Sequence, residues 1–340
     1  MVQEWKEPDY RADQIWQGLY SNYWSEPHQF TNLSKEFQNK NLANINFSTI
    51  FPEKTSLSSD GSTEKILFRS KHGDAYETVL MKFAGKNEEM ARNTICVSTQ
   101  VGCGMGCTFC ATGKMGFNRN LRVGEIIEQV IFFARKLKNL NTRISNIVYM
   151  GMGEPFQNYI SVLNSIRILN SPTGFNLGLR RFTISTVGLV PGIQKLAEDA
   201  PQVNLAVSLH AADDLLRNTL VPINSKFPLN VILEACDEYV QKTNRRITFE
   251  WALIENVNDS LPQARKLVSL IKNSRNLDSG HSHVNLIPLN PVSNYKGNPS
   301  TKKRAYLFKN VLESNQIPCT IRQRRGIDIN AGCGQLAIDA

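Results

Sequence analysis

Three cysteines within eight residues are the part of this sequence best suited to chemistry. Cys103, Cys107 and Cys110 stand in the stretch CGMGCTFC, in which three and then two residues separate them. A cubane 4Fe–4S cluster needs thiolates arranged around a small volume, and the glycines let the chain fold back tightly enough. Three thiolates leave one iron open, where S-adenosylmethionine (SAM) can bind through its amino and carboxylate groups. Reductive cleavage of SAM then gives a 5′-deoxyadenosyl radical, so the spacing predicts a radical SAM enzyme.

A structural zinc site is the alternative explanation of these cysteines. Zinc in such sites takes four ligands at short, paired spacings, and Cys96 or Cys333 could supply the fourth thiolate. The other two of the seven cysteines, Cys236 and Cys319, fall on the apolar side of a predicted helix and within a predicted strand. A thiol in such a position packs as a small hydrophobe. The odd cysteine count argues against a framework of disulfides.

Composition limits the class of protein. Of the 340 residues, 41% are hydrophobic and 20% are charged, which allows one large core or two smaller ones. No apolar run approaches the length of a membrane span, and residues Met1–Tyr10 have no apolar signal core. We therefore expect a cytoplasmic protein without a membrane partner.

The net charge of +9 bears on the choice of partner. It could serve solubility alone, but it also suits a polyanion such as RNA. The basic residues form short groups rather than a long tail, so folding would have to assemble a surface for RNA. These groups are Arg180–Arg181, Arg245–Arg246, Lys302–Lys303–Arg304, and Arg322 with Arg324 and Arg325.

The first 75 residues differ in pattern from the rest. Helical periodicity over Tyr10–Tyr20 and Asn32–Leu42 is followed by a Ser-rich stretch, Ser56–Thr63, that predicts a loop. Aromatic and basic residues interleave here, which favours the core of a small helical domain and also allows contact with RNA. Residues 1–75 are therefore predicted to form an N-terminal helical accessory domain.

Residues 76–340 alternate between short apolar runs and amphipathic segments, after a hairpin predicted around Ile66–Phe83. This pattern predicts an α/β fold, a partial (βα)6 barrel, followed by a last strand and a C-terminal segment that carries Cys333. The predicted strands are Thr94–Thr99, Asn146–Met150, Phe182–Ser185, Val203–Leu209, Ile247–Leu253, Val284–Leu289 and Pro318–Gln323. The predicted helices are Val123–Leu137, Ile160–Leu169, Gly192–Glu198, Leu229–Lys242, Pro262–Ser274 and Thr301–Ser314.

Each unusual motif follows one of these strands. Catalytic groups of α/β barrels lie at the C-terminal ends of the strands, so we expect the motifs to converge there. They are the cysteine stretch, Gly151–Pro155, Ser185–Gly188, Ser208–His210 and Asn290–Pro291.

Three segments together resemble the RlmN/Cfr family of radical SAM RNA methyltransferases: CVSTQVGC at Cys96–Cys103, GMGEP at Gly151–Pro155 and GCGQL at Gly332–Leu336. The resemblance extends over Glu77–Leu336. It implies a proton-accepting role for Glu77. It also implies SAM contacts at Gly153, Glu154, Ser185, Ser208, Leu209, His210 and Asn290. Gly332 departs from the alanine usual in the family and should loosen the backbone beside Cys333.

The resemblance also implies a reaction with two SAM molecules per turnover. Cys333 takes a methyl group from one SAM, and the radical from the second removes a hydrogen from that S-methyl group. The methylene radical adds to adenine, and Cys96 releases the protein–RNA adduct by forming a transient disulfide with Cys333. The implied substrates are 23S rRNA and tRNA, with a monomeric chain that takes electrons from a protein such as flavodoxin or ferredoxin.

Two sets of alternatives stay open. Within the family, methylation of adenosine at carbon 2 (RlmN type) competes with methylation at carbon 8 (Cfr type), which confers antibiotic resistance. Pro155 favours carbon 2, because Cfr proteins typically have alanine there, whereas Pro201–His210 and Gly326–Leu336 also look Cfr-like. Outside the family, the chain could be an RNA-binding protein with a structural metal, or a radical enzyme acting on a peptide or a metabolite.

Replacing Cys103, Cys107 or Cys110 by alanine should abolish the cluster, because each thiolate holds one iron. Anaerobically purified wild-type protein should carry about four irons per chain, measured by chemical iron analysis. Cys236→Ala and Cys319→Ala remove a thiol elsewhere and should keep the iron. Full iron content in any of the three motif variants would contradict the assignment.

Overall fold

The computed structural model of the chain describes residues 2–85, 91–277, 280–293 and 295–338. Within these ranges the strands are β1 Ile50–Leu57, β2 Thr63–Ser70, β3 Ala75–Phe83, β4 Arg92–Cys96, β5 Gln100–Gly102, β6 Phe117–Asn120, β7 Asn146–Tyr149, β8 Phe182–Thr186, β9 Asn204–Ser208, β10 Ile247–Leu253, β11 Ser282–Pro288 and β12 Cys319–Ile321. The α-helices are α1 Tyr10–Tyr20, α2 Lys35–Phe37, α3 Ala111–Lys114, α4 Val123–Lys138, α5 Tyr159–Asn170, α6 Val190–Asp199, α7 Asp214–Leu220, α8 Leu229–Thr243, α9 Leu261–Lys272 and α10 Lys302–Ser314. Short 3₁₀ helices lie at Pro27–Gln29, Pro155–Asn158, Leu179–Arg181, Pro222–Ser225 and Ile327–Ile329.

One sheet of ten strands dominates the described residues, in the order β1-β2-β3-β4-β7-β8-β9-β10-β11-β12. Pairing is antiparallel from β1 to β4 and parallel from β4 to β12. The parallel strands are apolar because helices cover them; in β10 every residue except Thr248 is buried. Six strand–helix units begin at β4, β7, β8, β9, β10 and β11. The predicted partial (βα)6 barrel is therefore confirmed, with β12 added at its edge.

The covering helices form because apolar residues recur at helical spacing. In α4, Ile126, Val130 and Phe133 are all fully buried. Side-chain caps start two later helices: Ser260 accepts a backbone N–H of α9, and Thr301 accepts one of α10. Each cap of this kind contributes about 1 kcal/mol. None of the helices in the described ranges has the length and apolar content needed to cross a membrane.

A two-stranded ribbon presents the cysteine loop. Strands β5 and β6 pair antiparallel on either side of residues 103–116. Gly102 ends β5 with a φ of +71°, and a Cβ there would lie 1.9 Å from the carbonyl oxygen of Gly116. Only glycine allows this approach. The N–H of Cys103 donates to the same oxygen at 2.8 Å, so the ribbon sets where the loop begins.

The helical N-terminal region has a small core of its own. Its buried members are Val2, Ile15, Phe30, Leu33, Phe37 and Leu42. Strands β1 and β2 instead pair with β3 and thus belong to the main sheet. A boundary at residue 75 falls between two paired strands, so we propose that the accessory domain ends near residue 48.

Two elements predicted in this region are present but shorter than expected. The loop expected over Ser56–Thr63 is reduced to residues 58–62, because β1 and β2 run into it from both sides. Strand β1 is mostly exposed and contains Pro52, where its register shifts, so it lacks the apolar pattern of a buried strand. The helix expected over Asn32–Leu42 starts only after its cap, Ser34, and continues as a π-helical turn.

Candidate active site

The C-terminal ends of the parallel strands surround an inner cavity, as barrel geometry requires. It brings together nine of the residues singled out in the sequence: Cys107, Cys110, Gly153, Glu154, Ser185, Ser208, His210, Asn290 and Cys333. Cys103 and Leu209 do not line it. The side chain of Leu209 is buried in the main core, and its N–H donates to the carbonyl oxygen of Glu250 at 3.0 Å.

The thiols of the cysteine loop lie in surroundings that disfavour the free thiolate. Across the described residues, no three His, Cys, Asp or Glu side chains converge on one metal-ion position. A cubane spreads its ligands, since each thiolate binds a different iron, whereas zinc draws all its ligands to one point. Burial raises the pKa of Cys103 to about 12 and also raises the pKa of Cys107 and of Cys110. Thiolates at these positions therefore need bound metal cations.

Two buried polar groups at the inner cavity are not fully matched by the described chain: a carboxylate lacks a cation, and an amide oxygen lacks a hydrogen-bond donor. The Glu154 carboxylate accepts the N–H groups of Phe156 at 3.0 Å and Val187 at 2.9 Å, but no cation of the described chain pairs with it. Burial raises the pKa of Glu154 to about 7. Asn290 Oδ1 is buried and has no hydrogen-bond partner within the described ranges. A ligand that carries an ammonium group and further N–H or O–H donors, as SAM does, fits both groups.

His210 packs against Phe109, the aromatic residue of the cysteine motif. Its backbone is left-handed, with a φ of +62°. This conformation costs about 1–3 kcal/mol for a residue other than glycine. Nδ1 accepts the N–H of Ala252 at 2.9 Å, and the ring meets Phe109 edge-to-face at 4.8 Å. Burial lowers the pKa of His210 to about 3, so the ring is neutral and carries its hydrogen on Nε2. Phe109 is thereby fixed beside the inner cavity.

An outer cavity adjoins the inner one, and Cys333 lies on the walls of both. Met150, Ile287 and Asn290 are the other residues that the two cavities share. Cys96 lines the outer cavity only. Cys333 is exposed as a residue, but its thiol is desolvated by its surroundings.

Hydrogen bonds hold the backbone around Cys333 in place. Asn290 Nδ2 donates to the carbonyl oxygen of Cys333 at 3.0 Å, and the N–H of Ala111 donates to that of Gly334 at 2.7 Å. A Cβ on Gly332 would lie 2.6 Å from Asn290 Nδ2. The structure gives Gly332 a packing role, because the missing Cβ allows Asn290 to approach and anchor the backbone beside Cys333.

Arg322 links the two cavities electrostatically. It lines the outer cavity, and its Nη1 lies 3.6 Å from Oε1 of Glu250, a buried carboxylate on the wall of the inner cavity. Burial raises the pKa of Cys96 and that of Cys333, and the Arg322 guanidinium lowers both. Sequence patterns alone did not single out Glu250, although a carboxylate inside an apolar strand was a usable signal.

Glu77 lies beside the outer cavity without lining it. It alternates along β3 with Val79 and Met81, which do line that cavity, and so shares their face. Its carboxylate pairs with Lys65 Nζ at 2.6 Å and accepts the N–H of Ala337 at 3.1 Å. Glu77 therefore ties the N-terminal strands to the segment that carries Cys333.

Comparison with known proteins defines the class. The sequence model of the radical SAM superfamily matches residues 97–268, which include the three clustered cysteines. The crystal structure of a radical SAM methyltransferase from Sphaerobacter thermophilus superposes with a TM-score of 0.92 at 43% identity, covering 98% of this chain and 95% of that one. With its cysteine loop and strand-end cavity, the chain is a radical SAM enzyme, a class that implies a 4Fe–4S cluster and SAM.

Curated relatives narrow the assignment further. The chain is 44% identical over 342 residues to the Chloroflexus aurantiacus protein named "Probable dual-specificity RNA methyltransferase RlmN", covering 99% of this chain and 89% of the relative. It is 42% identical over 336 residues to "Dual-specificity RNA methyltransferase RlmN 1" of Myxococcus xanthus, covering 99% and 90%. The chain belongs to the RlmN family. These matches favour the RlmN branch over the Cfr branch. They also argue against the two alternatives outside the family, an RNA-binding protein with a structural metal and a radical enzyme acting on a peptide or a metabolite.

Glu154→Gln should change how stability depends on pH in the ligand-free protein. Because folding raises the pKa of Glu154 from 4.5 to about 7, the unfolded chain releases this proton first as the pH rises. The wild-type protein should therefore lose stability relative to the variant between these two pH values, by up to about 3 kcal/mol. Urea unfolding of both proteins at about pH 4 and pH 8 measures this. A difference that stays constant with pH would contradict the burial of an uncompensated carboxyl group.

Proposed function

We propose that this chain is an RNA methyltransferase that adds a methyl group to carbon 2 of an adenosine in 23S rRNA and in tRNA. One observation carries the proposal: Cys333 lies on the walls of both cavities. A thiol in that position can accept a methyl group on one side and deliver it on the other. The names of the relatives, dual-specificity RNA methyltransferases, support the same reaction class.

The inner cavity is the proposed cofactor site. Cys103, Cys107 and Cys110 would hold the cluster, with Glu154 and Asn290 facing the polar end of SAM. The remaining proposed SAM contacts are Gly153, Ser185, Ser208, Leu209 and His210. When bound, the cluster and two SAM molecules per turnover supply the methyl group and the 5′-deoxyadenosyl radical.

Cys333 is the proposed methyl carrier. Displacement at a sulfonium methyl group needs a thiolate, and Arg322 works against burial by lowering the pKa of Cys333. Cys333 lines both cavities while the backbone beside it is held by Asn290 and Ala111. This combination suits a group that must meet the methyl donor and the RNA base in turn without a large movement of the chain.

Cys96 is the proposed resolving thiol. It ends β4, is buried, and shares the outer cavity with Cys333. When a methylene bridge joins Cys333 to adenine, a Cys96 thiolate can attack the Cys333 sulfur, so that a disulfide forms as the carbon–sulfur bond breaks. The methylene carbon keeps the electron pair of that bond and takes up a proton, which completes the methyl group on the adenine. Both residues are free thiols in the structure, so this disulfide would exist only during turnover.

Glu77 is the proposed acceptor of the proton that leaves carbon 2 of the adenine. The ion pair with Lys65 stabilises the carboxylate form that a proton acceptor needs. Its place beside Val79 on β3 lies next to the outer cavity, where the base would enter.

The rim of the outer cavity suits a phosphate backbone. Arg322, Arg324 and Arg325 line the cavity together with Phe83. The guanidinium of Arg325 lies 4.6 Å from the centre of the Phe83 ring, which leaves a mixed basic and aromatic surface. Such a surface binds RNA through both charge and base stacking, and the net charge of +9 acts in the same direction.

The remaining features complete the proposal. The N-terminal helical region would act as an accessory RNA-binding domain, and a reducing protein such as flavodoxin or ferredoxin would supply electrons. We also propose a monomer that works in the cytoplasm. Seven free thiols suit a reducing compartment of that kind.

The product should be 2-methyladenosine, because the chain carries Pro155 after Glu154 and its relatives have the RlmN name. The gene should restore this nucleoside in ribosomal RNA of a strain that lacks its own RlmN-type enzyme, measured by chromatography and mass spectrometry against both methyladenosine standards. An empty vector is the control. A product that is mainly 8-methyladenosine would move the chain to the Cfr branch.

Cys96→Ala should trap the enzyme on its RNA. The variant keeps the cluster ligands and Cys333, so methyl loading and radical addition can proceed while release is blocked. Protein purified from cells should carry RNA that survives denaturant and high salt, detected by a gel shift that ribonuclease removes.

The matched control is the double variant Cys96→Ala, Cys333→Ala, which should carry no such RNA because the attachment point is gone. If Cys96 were only a buried strand residue, Cys96→Ala alone would methylate RNA normally. Normal methylation without an adduct would therefore refute the resolving role.

A further inference from the structure

The guanidinium of Arg217, on α7, is completely buried and surrounded by neutral acceptors. Arginine has five N–H donors, and each has a partner here. Nε donates to the carbonyl of Leu209 at 2.9 Å; Nη1 donates to Asn224 Oδ1 at 2.7 Å and to the carbonyl of Phe227 at 3.4 Å; Nη2 donates to the carbonyls of Val187 at 2.6 Å and Ser208 at 3.0 Å. The donors are satisfied, but the positive charge is not matched by any of these five groups.

The chain supplies only an indirect counter-charge. In the described part of the chain, Arg217 forms no ion pair with an aspartate or glutamate. Asp214 Oδ1 accepts from Asn224 Nδ2 at 2.9 Å, so this carboxylate acts on the guanidinium through a neutral amide. Buried charges are normally paired or used to bind ions, because desolvation is costly. An unpaired guanidinium at this depth therefore indicates an anion that binds nearby.

The cysteine loop packs directly on the end of the helix that carries Arg217. The N–H of Thr108 donates to the carbonyl of Leu220 at 3.0 Å. Leu220 and Val221 share an apolar cluster with Cys107 and Phe109. Two of the Arg217 acceptors, Val187 and Ser208, also line the inner cavity. The buried cation thus lies behind the wall where the cluster and SAM would bind.

We propose that Arg217 is the built-in counter-charge of the iron–sulfur cluster and sets its reduction potential. The inference rests on the proposed cluster at Cys103, Cys107 and Cys110. A cubane held by three thiolates is anionic, and it becomes more so when it accepts an electron. A fixed cation nearby stabilises the reduced form and raises the potential. Arg217 is a positioning residue as well, because it holds the ends of β8 and β9 together.

Potentiometric titration of the anaerobic holoenzyme, read by electron paramagnetic resonance, tests the proposal. Arg217→Gln should shift the midpoint potential to more negative values. At the wild-type midpoint the ratio of reduced to oxidised cluster should fall about tenfold, which is about 59 mV for a one-electron couple. Arg217→Lys keeps the charge but not the five hydrogen bonds, and its midpoint should stay near that of the wild type.

Asp214→Asn should shift the midpoint potential in the opposite direction, with little change in the shape of the side chain. Asparagine can keep the acceptor oxygen for Asn224, but the negative charge near Arg217 is removed, so the midpoint should become more positive. Arg135→Gln is the matched control. Arg135 is a partly buried arginine that donates to the carbonyl of Tyr23, away from the cysteine loop, and its loss should leave the midpoint unchanged.

The outcomes separate the two proposals. Wild-type protein that assembles no cluster would overturn the proposed function and this inference with it. A normal wild-type cluster whose midpoint is the same in Arg217→Gln would overturn the inference alone. If Arg217→Gln does not hold a cluster, Asp214→Asn decides, since an unchanged midpoint in that variant would show that Arg217 has only a structural role.

Discussion

The hydrogen bond from Asn290 Nδ2 to the carbonyl of Cys333 lies where three parts of the chain meet. It joins the residues that follow β11 to the C-terminal segment, and the bond from Ala111 to Gly334 joins that segment to the cysteine loop. Because both bonds use backbone carbonyls, neither of them engages the sulfur of Cys333. Glu77 adds a third tie through Ala337. The junction between the two cavities depends on these contacts.

Two charged groups near the inner cavity are buried, and we expect bound ligands to supply the opposite charges. Among the described residues, Glu154 is buried without a cation and Arg217 without a direct anion, and each lies close to the inner cavity. The direct pair of Arg322 with Glu250 lies between the cavities. Such an arrangement makes the ligand-free protein less stable than it could be and favours the loaded form. It also places a cation near both Cys96 and Cys333, where thiolates are needed.

Much of the fold could be predicted because buried parallel strands and amphipathic helices have strong periodic patterns. Strand β10 and helix α1 have the ends expected from the sequence. Strand β1 was not predicted, because it is mostly exposed and lacks an apolar pattern. Its hydrogen bonds to β2 make it a strand. The same pairing supports the proposed domain boundary near residue 48, since a sheet can recruit strands from either side of an apparent change in composition.

The sequence by itself determined the chemistry: the spacing of Cys103, Cys107 and Cys110, the motifs after each strand, and the resemblance carried by the segment at Cys333. These features are local, because ligand spacing and strand-end positions follow from residues near one another in the chain. Only the tertiary structure decided that Cys333 lines two cavities and that Gly332 leaves room for Asn290 beside it. It alone also assigned partners to Glu250 and Arg217. Burial and charge pairing depend on residues far apart in sequence, so no local pattern records them.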